Sequence, residues 1–181
     1  MNTLSKICGS TSLALLLVLS APAVLADRTA GETVDDSTIA SSVKMKLVED
    51  ETAPAGSINV ESYKGVVQLI GFVHSEPEKA AALERAKGVD GVQKVVDAMI
   101  VVPEKRSFGT TVDDQTIQTK VKVGITELGA DEGLAVVTDV RNGEVLLGGF
   151  VNSEDDRAEI VKQVEGVKGV TKVHSYIDVK Q

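Results

Sequence analysis

The chain is short of the side chains that carry most chemistry. It has one cysteine, two histidines and no tryptophan in 181 residues. The cysteine, Cys8, precedes an apolar leader, so once the leader is removed no thiol remains. That excludes disulfides, thiolate catalysis and thiolate metal sites. His74 and His174 have no second histidine or cysteine near them in sequence, and each reads as a surface side chain. The acidic run Glu49-Asp50-Glu51 lacks the alternating spacing of a calcium loop and reads as solvated. The glycines form no G-x-G-x-x-G phosphate loop. Basic charge is also scarce: 19 lysines and arginines stand against 27 acidic residues, for a net charge of −8. That balance argues against nucleic acid, which needs a net basic footprint. No acid–base or nucleophile constellation is visible, so we expect no catalysis, no metal and no cofactor.

Long apolar runs are missing as well. The longest, Leu13 to Leu19, falls far short of the roughly 20 residues that span a bilayer. With Lys6 before it and Val24-Leu25-Ala26 after it, residues 1–26 read as a secretory signal cut before Asp27. Loss of Lys6 with the leader makes the remainder one unit more negative. Cys8 lies too early to be an acylated first residue. The expectation is therefore a soluble periplasmic protein that is not a lipoprotein and has no transmembrane segment.

What the chain does contain is one segment written twice. Val34-Asp35-Asp36 opens the first copy and Val112-Asp113-Asp114 the second, an offset of 78 residues. The offset holds from Gly65 and Gly143, through Gly71-Phe72-Val73 and Gly149-Phe150-Val151, to Gly91-Val92 and Gly169-Val170. Glycines and apolar residues are duplicated, whereas reactive residues are not. This favours a scaffold or binding module.

Each copy predicts the order α-β-β-α-β. Asp36 or Asp35, and Asp114 in the second copy, are read as caps of a first helix. Ile39, Val43 and Leu47 then form one helical face, matched by Ile117, Val121 and Ile125. An irregular stretch follows from Glu49 to Ser57. A hairpin then turns at Lys64-Gly65 and at Asn142-Gly143, the latter a strong turn signal. Ser75 and Ser153 cap a second helix, Gly88 ends the first of these, and third strands run from about Val92 to Val102 and Val170 to Lys180. We assign 1–26 to the leader, 34–102 and 112–180 to two domains, and 103–111 to a linker. The fold class is α+β, with two helices on one face of a three-stranded mixed sheet in each domain.

The D-x-x-I-x-x-x-V helix, the G-x-V-x-L-x-G-x-V return strand and the late G-V-x-x-V strand together resemble the BON domain. The pattern occurs in Asp36 to Val43, Gly65 to Val73 and Gly91 to Val95, and again in Asp114 to Val121, Gly143 to Val151 and Gly169 to Val173. The resemblance covers nearly all of the chain after the leader. It implies a non-enzymatic envelope role under osmotic or membrane stress, through contact with envelope phospholipid or with exported or outer-membrane proteins. The alternative is a structural partner module of a larger envelope assembly, without lipid binding.

Two surfaces are candidates for that work. Lys44-Met45-Lys46 and Lys120, Lys122 and Val123 set cations beside apolar residues on the outer side of the first helix of each copy. In dual-BON lipoproteins the first helix of the second domain is the surface associated with phospholipid, which points to Lys120, Lys122 and Val123. The other candidate is the sheet face away from the helices, where Val66, Gln68, Ile70 and Phe72 alternate with core positions. We expect the two sheets to meet there, through Ile70, Phe72 and Ile100 of one copy and Leu146, Phe150 and Tyr176 of the other.

Overall fold

A computed structural model describes residues 30–49, 55–103, 108–128 and 135–181. The leader over 1–26, with Cys8, lies outside the described residues, as do parts of the irregular stretch and of the linker. The first repeat runs α1 (Ala30–Val48), a short 3-10 turn (Ala55–Ser57), β1 (Ile58–Tyr63), β2 (Val66–Val73), α2 (Glu76–Lys87) and β3 (Lys94–Val101). The second runs α3 (Phe108–Glu127), β4 (Ala135–Arg141), β5 (Glu144–Val151), α4 (Glu154–Glu165) and β6 (Lys172–Val179). The fold is α+β, two α-β-β-α-β units in tandem.

Each unit holds a three-stranded mixed sheet, ordered β1-β2-β3 and β4-β5-β6. The hairpins pair antiparallel, Val60 opposite Leu69 and Thr138 opposite Leu147. The third strands pair parallel to the central ones, Leu69 opposite Asp97 and Leu147 opposite Ser175. A parallel neighbour requires a crossover, and α2 and α4 supply it. The crossover helices start where the sequence marks them. Ser75 Oγ accepts from the Glu78 N–H at 3.3 Å, and Ser153 Oγ from the Asp156 N–H at 3.1 Å.

The two helices of each unit lie on one side of its sheet. Ile39, Val43 and Leu47 of α1 and Ala82 and Ala86 of α2 meet Val67, Leu69, Val73 and Met99. Ile117, Val121, Ile125, Ile160 and Val164 meet Val145, Leu147, Val151 and Ile177 in the second unit. Each fully buried aliphatic side chain contributes about 1.5–3 kcal/mol. Such a core is what a small unit with no disulfide must rely on.

One expectation is corrected. Asp36 and Asp114 do not cap their helices, because α1 and α3 begin further upstream, at Ala30 and Phe108. Both aspartates sit inside a helix, are only 2% exposed, and reach across to the hairpin turn. Asp36 accepts from the N–H groups of Lys64 (2.8 Å) and Gly65 (3.0 Å) and from Ser62 Oγ (2.9 Å). Asp114 accepts from the Asn142 and Gly143 N–H groups, both at 3.0 Å. At each turn the two residues have positive φ, 48° and 74° in the first and 53° and 76° in the second. That geometry leaves two adjacent N–H groups without a strand partner, and the carboxylate supplies one. α3 begins at Phe108, inside the stretch 103–111 assigned to the linker.

Candidate functional site

The helix-free faces of the two sheets are in contact. Ile70, Phe72, Ala98 and Leu146 form a buried cluster spanning both repeats, with Ile100, Val102 and Val137 packed against it. The fit is not symmetric. Ile70 and Gly148 occupy equivalent positions in the two repeats, and Ile70 fills the space above Gly148. A Cβ at Gly148 would lie 2.6 Å from Ile70 Cδ1 and Cγ1. Gln68 is fully buried, and its equivalent in the second repeat is Leu146. Its Oε1 accepts from the Gly149 N–H at 2.7 Å and its Nε2 donates to Asp178 Oδ2 at 3.0 Å. A single side chain in the first repeat thereby uses both ends of its amide on the second.

Around this centre the contact is aromatic and polar. Phe150 packs on Tyr63, with ring centroids 5.5 Å apart and the planes tilted by 39°. Lys64 and Lys180 approach the Tyr63 ring, their ammonium groups 5.4 and 5.8 Å from its centroid. Arg141, 4% exposed, brings Nη2 to 3.5 Å from His74 Nδ1. Of the six residues expected at this face, Ile70, Phe72, Leu146 and Ile100 come together. Phe150 is buried against Tyr63 and lies outside that cluster. Tyr176 is 37% exposed and belongs to none of the buried clusters. Tyr176 pairs with Gly148 in the sheet register, the residue above which Ile70 takes the space.

The first helices present a different surface. Successive helical residues are about 100° apart, so Lys120 and Lys122 fall on opposite flanks of α3 with Val123 on the ridge between them. Val123 is 52% exposed. Lys120 lines a cleft of about 600 Å³ with Asp113, Thr116, Gly143, Lys168 and Thr171; Lys122 and Val123 do not line it. The equivalent cleft of the first repeat, about 740 Å³, has Asp90 where the second has Lys168. In place of Lys120 the first repeat has Ser42. The second cleft therefore sets two lysines beside Asp113 and Asp114, and the first sets Lys64 against Asp35, Asp36 and Asp90. On α1, Met45 is 65% exposed. Lys46 pairs with Glu49 at 3.5 Å, and the Lys44 ammonium donates to the Ile58 carbonyl.

Sequence reasoning missed Lys168, Gly148 and Tyr63, and named Gln68 without a role. A signal existed: these are places where two otherwise matching repeats differ, Asp90 against Lys168, Ile70 against Gly148, Gln68 against Leu146. Neither histidine belongs to a ligand cluster. His174 Nε2 sits 2.7 Å from Glu144 Oε2, and among the described residues no group of three or more histidine, cysteine or acidic side chains converges. Among them, too, no helix is long and apolar enough to cross a membrane.

Two like sheets, each backed by two helices and joined through their helix-free faces, define a tandem two-domain module. The chain belongs to the BON-domain family, whose profile matches residues 35–103 and again 113–181. It is 37% identical over 154 residues to the outer membrane lipoprotein DolP of Haemophilus influenzae, covering 83% of this chain and 79% of that protein. It is 35% identical over 144 residues to the osmotically-inducible protein Y of Escherichia coli, covering 77% and 72%. It is 31% identical over 153 residues to a 21 kDa hemolysin of Actinobacillus pleuropneumoniae, covering 83% and 78%. Among solved structures, the C-terminal domain of CdsD, a type III secretion protein of Chlamydia trachomatis, aligns with a TM-score of 0.33 at 14% identity, over 81% of this chain and 67% of that one.

Proposed function

We propose that this chain is a non-enzymatic envelope-stress protein of the periplasm that holds anionic phospholipid headgroups at the second repeat and exported protein at the first. The observation that carries the lipid reading is the placement of cations on and beside α3. Lys120 and Lys168 share one cleft with Thr116 and Thr171, beside Asp113 and Asp114. Val123 stands exposed on the ridge between Lys120 and Lys122. A phosphodiester at a membrane surface needs cations and hydrogen-bond donors, and an apolar ridge flanked by lysines suits the boundary between headgroup and acyl chain. The net charge of −8 repels an anionic surface, so only a local patch within a Debye length of about 8–10 Å provides attraction. Binding is accordingly weak and salt-sensitive.

Flotation with vesicles containing phosphatidylglycerol tests this. Binding is expected to fall when Lys120 and Lys122 are both changed to glutamate, and to fall further with Lys168→Glu. Strong flotation unchanged by these substitutions would refute the patch. No flotation by the parent protein leaves the alternative of a structural partner in a larger envelope assembly.

The periplasmic location rests on the leader over 1–26. One relative is named an outer membrane lipoprotein, which bears directly on the expectation that this chain carries no acyl anchor. Mass spectrometry of the mature N-terminus decides it: a start at Asp27 without lipid supports the soluble form, and an acylated cysteine overturns it.

A further inference from the structure

The outer edge of the first sheet stands beside an open apolar groove. Among the described residues β1 pairs only with β2 and is an edge strand. Between that edge and α1 runs a groove of about 630 Å³, whose walls include Ala40, Met45 and Val48 of the helix and Asn59 and Val60 of the strand. Met45 and Val48 are 65% and 67% exposed, the most exposed large apolar side chains among the described residues. Two opposite charges border the groove at a cost in hydration. Burial pushes the Lys44 amine below its usual range and the Glu61 carboxyl above its own.

Three observations say that the occupant is polypeptide. First, an edge strand offers a row of backbone N–H and C=O groups that only another extended backbone can match in register. Second, helix side chains already stand in for such a backbone. Lys44 donates to the Ile58 carbonyl in the first repeat, and Gln118 Nε2 donates to the Thr138 carbonyl at 3.0 Å in the second. Thr138 is the counterpart of Val60, two positions from Ile58, so both carbonyls fall in the alternating set that a strand turns to one side. Third, one end of the corresponding region of the second repeat, at Gln118 and Asp139, shares a cleft with chain from the first. Gly56, Ser57 and Asn59 lie across a cleft from Gln118, Asp139 and Arg141. The groove of the first repeat has no such neighbour lining it among the described residues.

We propose that the groove between α1 and β1 accepts an extended, apolar and uncharged or basic polypeptide segment as a fourth strand on β1, with alternate side chains against Met45 and Val48. Main-chain pairing supplies affinity with little sequence preference, and the groove selects apolar residues at every second position. The acidity of the chain disfavours acidic segments. This inference rests on the client-binding half of the function proposed above and is independent of the lipid half.

The test uses the full chain and a fluorescent peptide of alternating valine and threonine with a lysine at each end. A second peptide carries N-methyl groups on alternate amides, which removes the donors on one edge and keeps the side chains. The parent peptide is expected to bind. N-methylation, and separately the double substitution Met45→Glu with Val48→Glu, are each expected to weaken binding at least about tenfold. Both residues are exposed, so the melting temperature of that variant should stay near the parent's. Lys120→Glu with Lys122→Glu should leave peptide binding intact while lowering flotation, which separates failure of this inference from failure of the lipid reading. Equal binding of the two peptides would mean purely apolar capture, as of an acyl chain, and would overturn strand addition. So would absence of binding, or binding indifferent to Met45→Glu with Val48→Glu.

Discussion

Asp36 and Asp114 show how one residue type can be read correctly as important and wrongly as to role. The sequence places an aspartate at the head of an apolar helical pattern, which is what a cap looks like. What decided otherwise was tertiary: the helix continues upstream, and the turn across the sheet has two N–H groups to satisfy. Replacing either aspartate with alanine leaves the buried glycine N–H of its turn without the carboxylate. The cost should be about 1–3 kcal/mol per site, read from the shift in urea midpoint at unchanged slope. A shift near zero would mean that water replaces the carboxylate. Glu61 makes a second prediction at this scale. Its carboxyl is pushed above the usual value of 4.5 by burial, so between 4.5 and the raised value the folded state holds more proton than the unfolded one. Stability therefore falls as pH rises through that window and is unaffected below it. The Glu61→Gln variant should gain on the parent as pH is raised from 4 towards neutrality. Parallel stability curves would remove desolvation of Glu61 as a factor.

At the scale of elements, most of the fold was legible because periodicity and punctuation agree. Spacing of four in α1 and α3, alternation in β2 and β5, serine caps at α2 and α4, and Asn142-Gly143 each point one way, twice over. The start of α3 was not legible, since nothing in residues 108–111 distinguishes a first helical turn from the chain that enters it. The pairing of unlike positions across the sheets was also hidden, because alternation shows which face a residue is on and not what stands opposite. Gly148 shows the consequence. Alanine there would place its Cβ against Ile70, forcing β2 and β5 apart or Ile70 out of its rotamer, at a cost of about 1–3 kcal/mol. Ile70→Ala alone opens a cavity and costs about 2–5 kcal/mol. Combined, the two should cost clearly less than their sum, because the smaller side chain makes room for the added methyl. Strict additivity in a double-mutant cycle would mean that these two residues do not meet in solution.

For the whole molecule, the buried cluster shared by both repeats implies that neither repeat is stable in the absence of the other to the degree that it is in the full chain. Phe72, 2% exposed, lies within that cluster, and Phe150 lies beside it against Tyr63. Phe72→Asp buries an unpaired charge at the centre of the contact and should lower the melting temperature more than Phe150→Asp does. Differential scanning calorimetry of the full chain and of each repeat alone checks this. An isolated first repeat as soluble and as stable as in the full chain, together with a neutral Phe72→Asp, would mean that the faces separate in solution.

The asymmetry of Ile70 and Gly148 constrains the chain's history and its assembly. Two identical copies would present isoleucine to isoleucine, or glycine to glycine, at this point. A protrusion that fits only the recess of the other copy makes first-to-second docking the favoured combination and handicaps first-to-first. A contact between equivalent faces closes on itself, whereas fibres need two different patches on each unit. Here the protrusion and its recess are carried on one polypeptide and consume each other, so the contact closes after a single step. Each unit has one helix-free face and the contact uses both, so the docking is self-limiting, and the two repeats, unlike in shape at this point, can no longer be treated as interchangeable.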